Sequence, residues 1–102
     1  MQPRERSGRV NRYMIWAVCA SESEQYIRAL LLQILGNSTL KLRSLHSEDQ
    51  ADPSRLEVRA ELYCEGCCDS VLEQAVSRLS LEAVVSAIRW EVLDSGDPAL
   101  EE

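Results

Sequence analysis

The chain has 102 residues, 45% of them hydrophobic and 27% charged, and a formal charge of -6. That length holds one domain with its own core and not two, and no apolar run approaches the roughly 20 residues of a membrane-spanning helix. The acidic balance speaks against a nucleic-acid-binding body, which needs a clustered basic face against phosphate.

The charge is uneven. Residues 1 to 12 carry Arg4, Arg6, Arg9 and Arg12 against Glu5, a local +3 that leaves -9 for the rest. No apolar segment follows these arginines, so the stretch is not a secretory signal. Residues 1–11 read as a basic flexible leader, of the kind that follows a membrane helix on its cytoplasmic side. Residues 94–102 read as an acidic flexible tail. With no secretory signal and a thiol-rich sequence, a reducing cytoplasm is expected.

Between them the elements come in order. "RYMIWAVCA" (12–20) is apolar on both alternating faces, as a central strand is, with Tyr13, Ile15, Ala17 and Cys19 on one side and Met14, Trp16 and Val18 on the other. "SESEQYIRALLLQILGN" opens with a capping-box pattern, Ser21 to Glu24. It then places Ile27, Leu30, Leu31 and Ile34 at helical spacing and stops at Gly36-Asn37. "TLKLRSLH" (39–46) is a second strand whose alternation falters at Ser44-Leu45, a bulge signal. "SEDQADPS" reads as a loop.

"RLEVRAELYC" (55–64) alternates throughout, with Leu56, Val58, Ala60, Leu62 and Cys64 inward. A second helix begins at a capping-box pattern, Ser70 to Glu73, with Leu72, Ala75, Val76 and Leu79 as its buried stripe. "AVVSAIRWEV" (83–92) is the last strand.

The order strand, helix, strand, strand, helix, strand with right-handed crossovers predicts an α+β, ferredoxin-like βαββαβ sandwich over residues 12–93. Its four-stranded antiparallel sheet has the order 4-1-3-2, with both helices on one face.

The candidate sites follow from that arrangement. Strands 1 and 3 are read as parallel neighbours, which brings Cys19 to the same end of the sheet as Cys64, Cys67 and Cys68. His46 is placed at the opposite end, on the order of 25 Å away. Three readings stand for the thiols: an all-cysteine zinc site from Cys19, Cys64, Cys67 and Cys68, a redox pair of Cys64 and Cys67 at a helix N-terminus, or small core residues beside a Gly66 turn. The third is adopted, so no cofactor is expected.

Glu48, Asp49 and Asp52 are the densest carboxylates and the candidate Mg²⁺ ligands. No nucleophilic triad can be assembled around one histidine, which points away from an enzyme. Met14, Trp16 and Val18, bordered by Arg59 and Arg89, make an apolar stripe on the open sheet face and a candidate protein contact. Alternatively, the charged stems cover it.

"YMIWAVCASESEQYIRALLLQIL", "LEVRAELY" and "LEQAVSRLSLEAVVSAIRWEV", with the Arg78-Leu79-Ser80 junction and the Trp90-Glu91 strand end, resemble the C-terminal domain of the MgtC/SapB family, its mycobacterial members above all. The resemblance implies an ACT-like fold and a place as the soluble cytoplasmic end of a multi-pass bacterial inner-membrane protein. It also implies a role in intramacrophage survival and growth at low magnesium, and inhibitory contact with the proton-translocating ATP synthase.

The expected function is therefore a non-catalytic regulatory or interaction domain, partnered by the membrane portion of the same protein, by ATP synthase, or by a second copy through its sheet. The alternatives are a sensor of Mg²⁺ or of a small metabolite held between helix 1 and the sheet, and a thiol site.

Overall fold

In the computed structural model, which describes residues 10–94, β1 (Val10–Ala20) runs through a 3-10 turn (Ser21–Ser23) into α1 (Glu24–Gly36). β2 (Lys41–Asp49), β3 (Arg55–Glu65), α2 (Asp69–Ser80) and β4 (Val85–Asp94) follow. The strands form one antiparallel sheet in the order β2-β3-β1-β4. This is the expected βαββαβ sandwich. The leader and tail fall outside the described residues, except that β1 already includes Val10 and Asn11 and β4 continues to Asp94.

Strand alternation builds the core. Tyr13, Ile15, Ala17 and Cys19 of β1 are buried, as are Leu56, Val58, Ala60, Leu62 and Cys64 of β3. α1 lays Ile27, Leu30, Leu31 and Leu35 on that face, and α2 adds Leu72, Ala75 and Leu79. Both helical stripes lie close to where periodicity puts them, with Leu35 rather than Ile34 as the fully buried end of the first.

Neither expected capping box forms. The Ser21 hydroxyl donates instead to the Pro53 carbonyl at 2.9 Å. α1 then starts after an uncapped 3-10 turn. In α2, Ser70 lies inside the helix, and Cys68 stands at the N-cap with no capping hydrogen bond from its side chain.

β2 is longer than its sequence pattern indicates. Ser47, Glu48 and Asp49 are strand, not loop, and pair with Val58, Glu57 and Leu56. The Arg28 guanidinium of α1 donates to the Ser47 hydroxyl at 2.8 Å and ties down this extension. The faltering alternation is a real irregularity: the register with β3 slips between Leu42 and Ser44.

Candidate functional site

The antiparallel pairing of β1 with β3 corrects the placement of the thiols. Cys19 is in register with Leu56 at the start of β3, while Cys64 is in register with Asn11 at the start of β1. The two cysteines thus sit at opposite ends of the sheet. A helical return from β1 makes β2 parallel to it, so β3, joined to β2 by a tight turn, must run the other way.

His46 pairs with Arg59, on the open face and five positions along β3 from Cys64. At the usual strand rise this is roughly 17 Å, so the histidine remains outside the cysteine cluster. The four cysteines do not gather as zinc ligands, and no group of three metal-ligating side chains converges among the described residues.

The cluster that does form is smaller. Cys64 is joined to Cys68 as a disulfide, with their Cα atoms 6.6 Å apart, within the span a bridge requires. Cys19 and Cys64 are both buried, as the core reading of the thiols expects; the alternative redox pair of Cys64 and Cys67 does not form, since Cys67 is exposed and free. The loop between is shaped by Gly66 at φ +79°, a left-handed conformation that suits glycine.

Two side chains from β1 hold that loop. Asn11 donates to the Gly66 carbonyl. The Tyr13 hydroxyl accepts from the Cys68 N–H at 3.2 Å and donates to Asp69 Oδ1 at 3.1 Å. Burial raises the Tyr13 phenol above its ordinary value, and the nearby Asp69 carboxylate adds to the effect. Sequence reasoning missed Tyr13 as the anchor of α2, because a tyrosine in an apolar strand gives no local sign of what its hydroxyl will meet.

Cys19 is fully buried and unpaired. Burial pushes its thiol up, with Glu24 contributing, so it is a poor nucleophile. Iodoacetamide should modify Cys67 in the folded chain and reach Cys19 on the order of 100-fold more slowly, because Cys19 must wait for local opening. Peptide mass spectrometry against time checks this, and equal rates would contradict the burial of Cys19.

The acidic trio does not converge either. Glu48 and Asp49 are consecutive strand residues on opposite faces. Glu48 pairs with Arg59, while Asp52 accepts from the Ser54 backbone N–H and hydroxyl at 3.0 and 2.8 Å. Those bonds hold the Asp52 carboxyl below its usual range. Ile27, Leu30, Leu31 and Leu35 pack α1 onto the sheet, and a recess of about 270 Å³ opens between the C-terminal end of α1 and β2, lined by Leu32, Leu35, Gly36, Ser38, Leu40, Lys41 and Leu42.

The structure brings the open-face residues together on neighbouring strands. Trp16 lies in register with Arg59 on β3 and Arg89 on β4, and the Arg89 guanidinium stacks 3.8 Å above its ring, a cation–π contact. Met14 is flanked by Glu61 and Glu91, and Val18 by Glu57 and Ala87.

Ion pairs lace this surface: Arg12 with Glu61 at 3.6 Å, Arg43 with Glu61 at 3.4 Å, Arg59 with Glu57 at 3.5 Å and Arg89 with Glu91 at 3.0 Å. Met14, Trp16 and Val18 are consequently half-buried. The face is a band of arginine and tryptophan between acidic bands, with its apolar stripe recessed beneath charged stems.

The MGTC/SAPB C-terminal domain model matches residues 13–90. The MgtC protein of Brucella abortus is 35% identical over 82 residues, covering 80% of this chain and 34% of that protein. The MgtC protein of Salmonella typhimurium is 28% identical over 81 residues, covering 79% of this chain and 35% of its own length. The chain spans about a third of the length of these relatives.

The solution structure of the C-terminal domain of MgtC from Mycobacterium tuberculosis matches with a TM-score of 0.77 at 24% identity, over 88% of this chain and 95% of that one. The ACT domain of the Chlorobium tepidum GTP pyrophosphokinase matches with a TM-score of 0.60 at 8% identity, over 80% and 99%. These structures share the fold, which is ACT-like and of the ferredoxin-like type. With most of its length under the family model and a relative 35% identical across most of it, the chain belongs to the MgtC/SapB family, as a C-terminal domain of that family.

Proposed function

We propose that this chain is a non-catalytic regulatory domain that works by protein contact, on the cytoplasmic side of a bacterial inner membrane. It would serve an MgtC-type virulence protein that supports intramacrophage survival and growth at low magnesium. Its partners in this reading are the membrane portion of the same protein and, by family resemblance, the proton-translocating ATP synthase.

The observation that carries the reading is the sheet face opposite the helices, where Trp16 is held between Arg59 and Arg89. Tryptophan and arginine recur at the centres of protein interfaces because they combine large apolar area with directional contacts. Here both are set on rigid strands.

The test uses the membrane protein that carries the domain, with Trp16→Ala and Met14→Ala combined. Growth at low magnesium should fail while the protein's level in the membrane is unchanged. Full growth with both substitutions in place would sink the proposal.

A further inference from the structure

The Cys64–Cys68 bridge joins residues only four apart in sequence, and so short a loop constrains the unfolded chain least. It is a weak staple. Yet it links two parts of the fold: Cys64 ends the buried row of β3, and Cys68 is the N-cap of α2, with its backbone N–H bonded to the Tyr13 hydroxyl at 3.2 Å. Opening the bridge therefore frees the start of α2 from β3.

The surroundings suit the open pair as well as the closed one. The Glu65 carbonyl oxygen lies 3.4 Å from Cys64 Sγ and 3.8 Å from Cys68 Sγ, and the Thr39 hydroxyl lies 3.8 Å from Cys68 Sγ. Each thiol formed on opening has an oxygen acceptor beside it.

A groove of about 650 Å³ adjoins the bridge, with Val10, Thr39, Lys41, Tyr63, Cys64 and Glu65 among its lining residues. The Lys41 ammonium and the Glu65 carboxylate are exposed there, as are Val10 and Tyr63. Opposite charges flanking an apolar surface match a small zwitterion.

We infer that Cys64 and Cys68 are a reversible redox site and that this groove admits its reaction partner, a zwitterionic thiol of the cysteine-peptide class or the corresponding disulfide. In the opening direction the thiolate RS⁻ attacks Cys64 Sγ. The bond to Cys68 breaks, Cys68 leaves as a thiolate, and Cys64 carries a mixed disulfide with R. A second RS⁻ attacks the outer sulfur, which releases RSSR and leaves Cys64 as a thiolate. Both cysteine thiolates take up the protons that the two RSH gave up. Two RSH are oxidised for one bridge reduced, and RSSR drives the same steps backwards.

The cytoplasmic placement proposed above supplies the biological setting, because disulfides there are rare and those present respond to redox state. The exchange itself needs only this chain, so failure of the Trp16 test leaves it standing.

The experiment equilibrates the 102-residue chain at pH 7 in mixtures of reduced and oxidised glutathione. Samples are quenched in acid, alkylated in urea and read by peptide mass spectrometry, with Cys19 as the thiol that is alkylated throughout. Cys64 and Cys68 should gain alkyl groups together as the mixture becomes more reducing, and the amide resonances of Cys68 and Asp69 should move with the same midpoint. Cys67→Ser should leave that midpoint unchanged, since the bridge does not use Cys67.

Lys41→Glu tests the groove. It should slow opening by reduced glutathione about fivefold, the effect of reversing one exposed charge, and leave opening by uncharged 2-mercaptoethanol at the native rate. Amide spectra check that both variants stay folded. A bridge that persists in reduced glutathione alone, or that never forms in oxidised glutathione alone, overturns the redox site. Loss of the bridge in Cys67→Ser overturns the pairing, and a Lys41→Glu variant that changes both rates alike, or neither, overturns the groove as the entry.

Discussion

Leu62→Ala should lower the unfolding free energy by about 3 kcal/mol, seen as a fall of roughly 2 M in the urea midpoint of a domain this size. Leu62 is completely buried, in register with Tyr13 on β1 and Leu42 on β2. Removing it opens a void where the two inner strands meet the helices, and neighbours fixed by sheet hydrogen bonds on both sides can collapse only a little. Packing density explains the size of the effect, since interiors are filled like organic crystals and a lost methyl group loses its contacts outright. Leu81→Ala is the matched control: at 78% exposure it should stay within about 0.5 kcal/mol of the native chain. A Leu62→Ala cost as small as the control's would contradict a core centred on β3.

Much of this was legible because burial imposes a period. β3 alternates without exception and its five inward residues are all buried, while the helical stripes follow from spacing alone. What escaped depended on partners distant in the chain. The Ser21 hydroxyl left its expected cap for the Pro53 carbonyl, 32 residues away. Glu48 reads as loop, yet it is strand, in register with Glu57 and ion-paired with Arg59 across the sheet.

The cysteine cluster was misassembled for a topological reason, the running direction of β1 against β3. It was misassembled also for a local one, since the path of the Glu65–Cys67 loop selects Cys68 over Cys67 as partner to Cys64. The open face was readable in its composition but not in its ion pairs, which require register. Arg89 over Trp16 is a consequence of β4 lying beside β1, which no local pattern encodes.

Tyr13→Phe should destabilise the chain by about 2 kcal/mol at neutral pH, because it leaves the buried Cys68 N–H without an acceptor. The aromatic ring and its edge contact with Trp90 at 6.1 Å are retained, so the loss reports the hydroxyl and not the packing. The pH dependence identifies the same group.

Burial raises the Tyr13 phenol above 10.0 in the folded chain, so the folded state holds this proton more tightly than the unfolded one. The stability that Tyr13 contributes is therefore fully present below the unfolded value. It is lost as pH rises from there through the raised folded value. Phenylalanine has no such proton. The gap between native and variant chains should then be constant up to about pH 10 and narrow above it. Cys19, also raised by burial, weakens both proteins alike at alkaline pH and cancels in the difference. Urea titrations of the two chains across neutral and alkaline pH measure that gap. If it stayed constant well above pH 10, the Tyr13 hydroxyl would not be the buried link that starts α2 from β1.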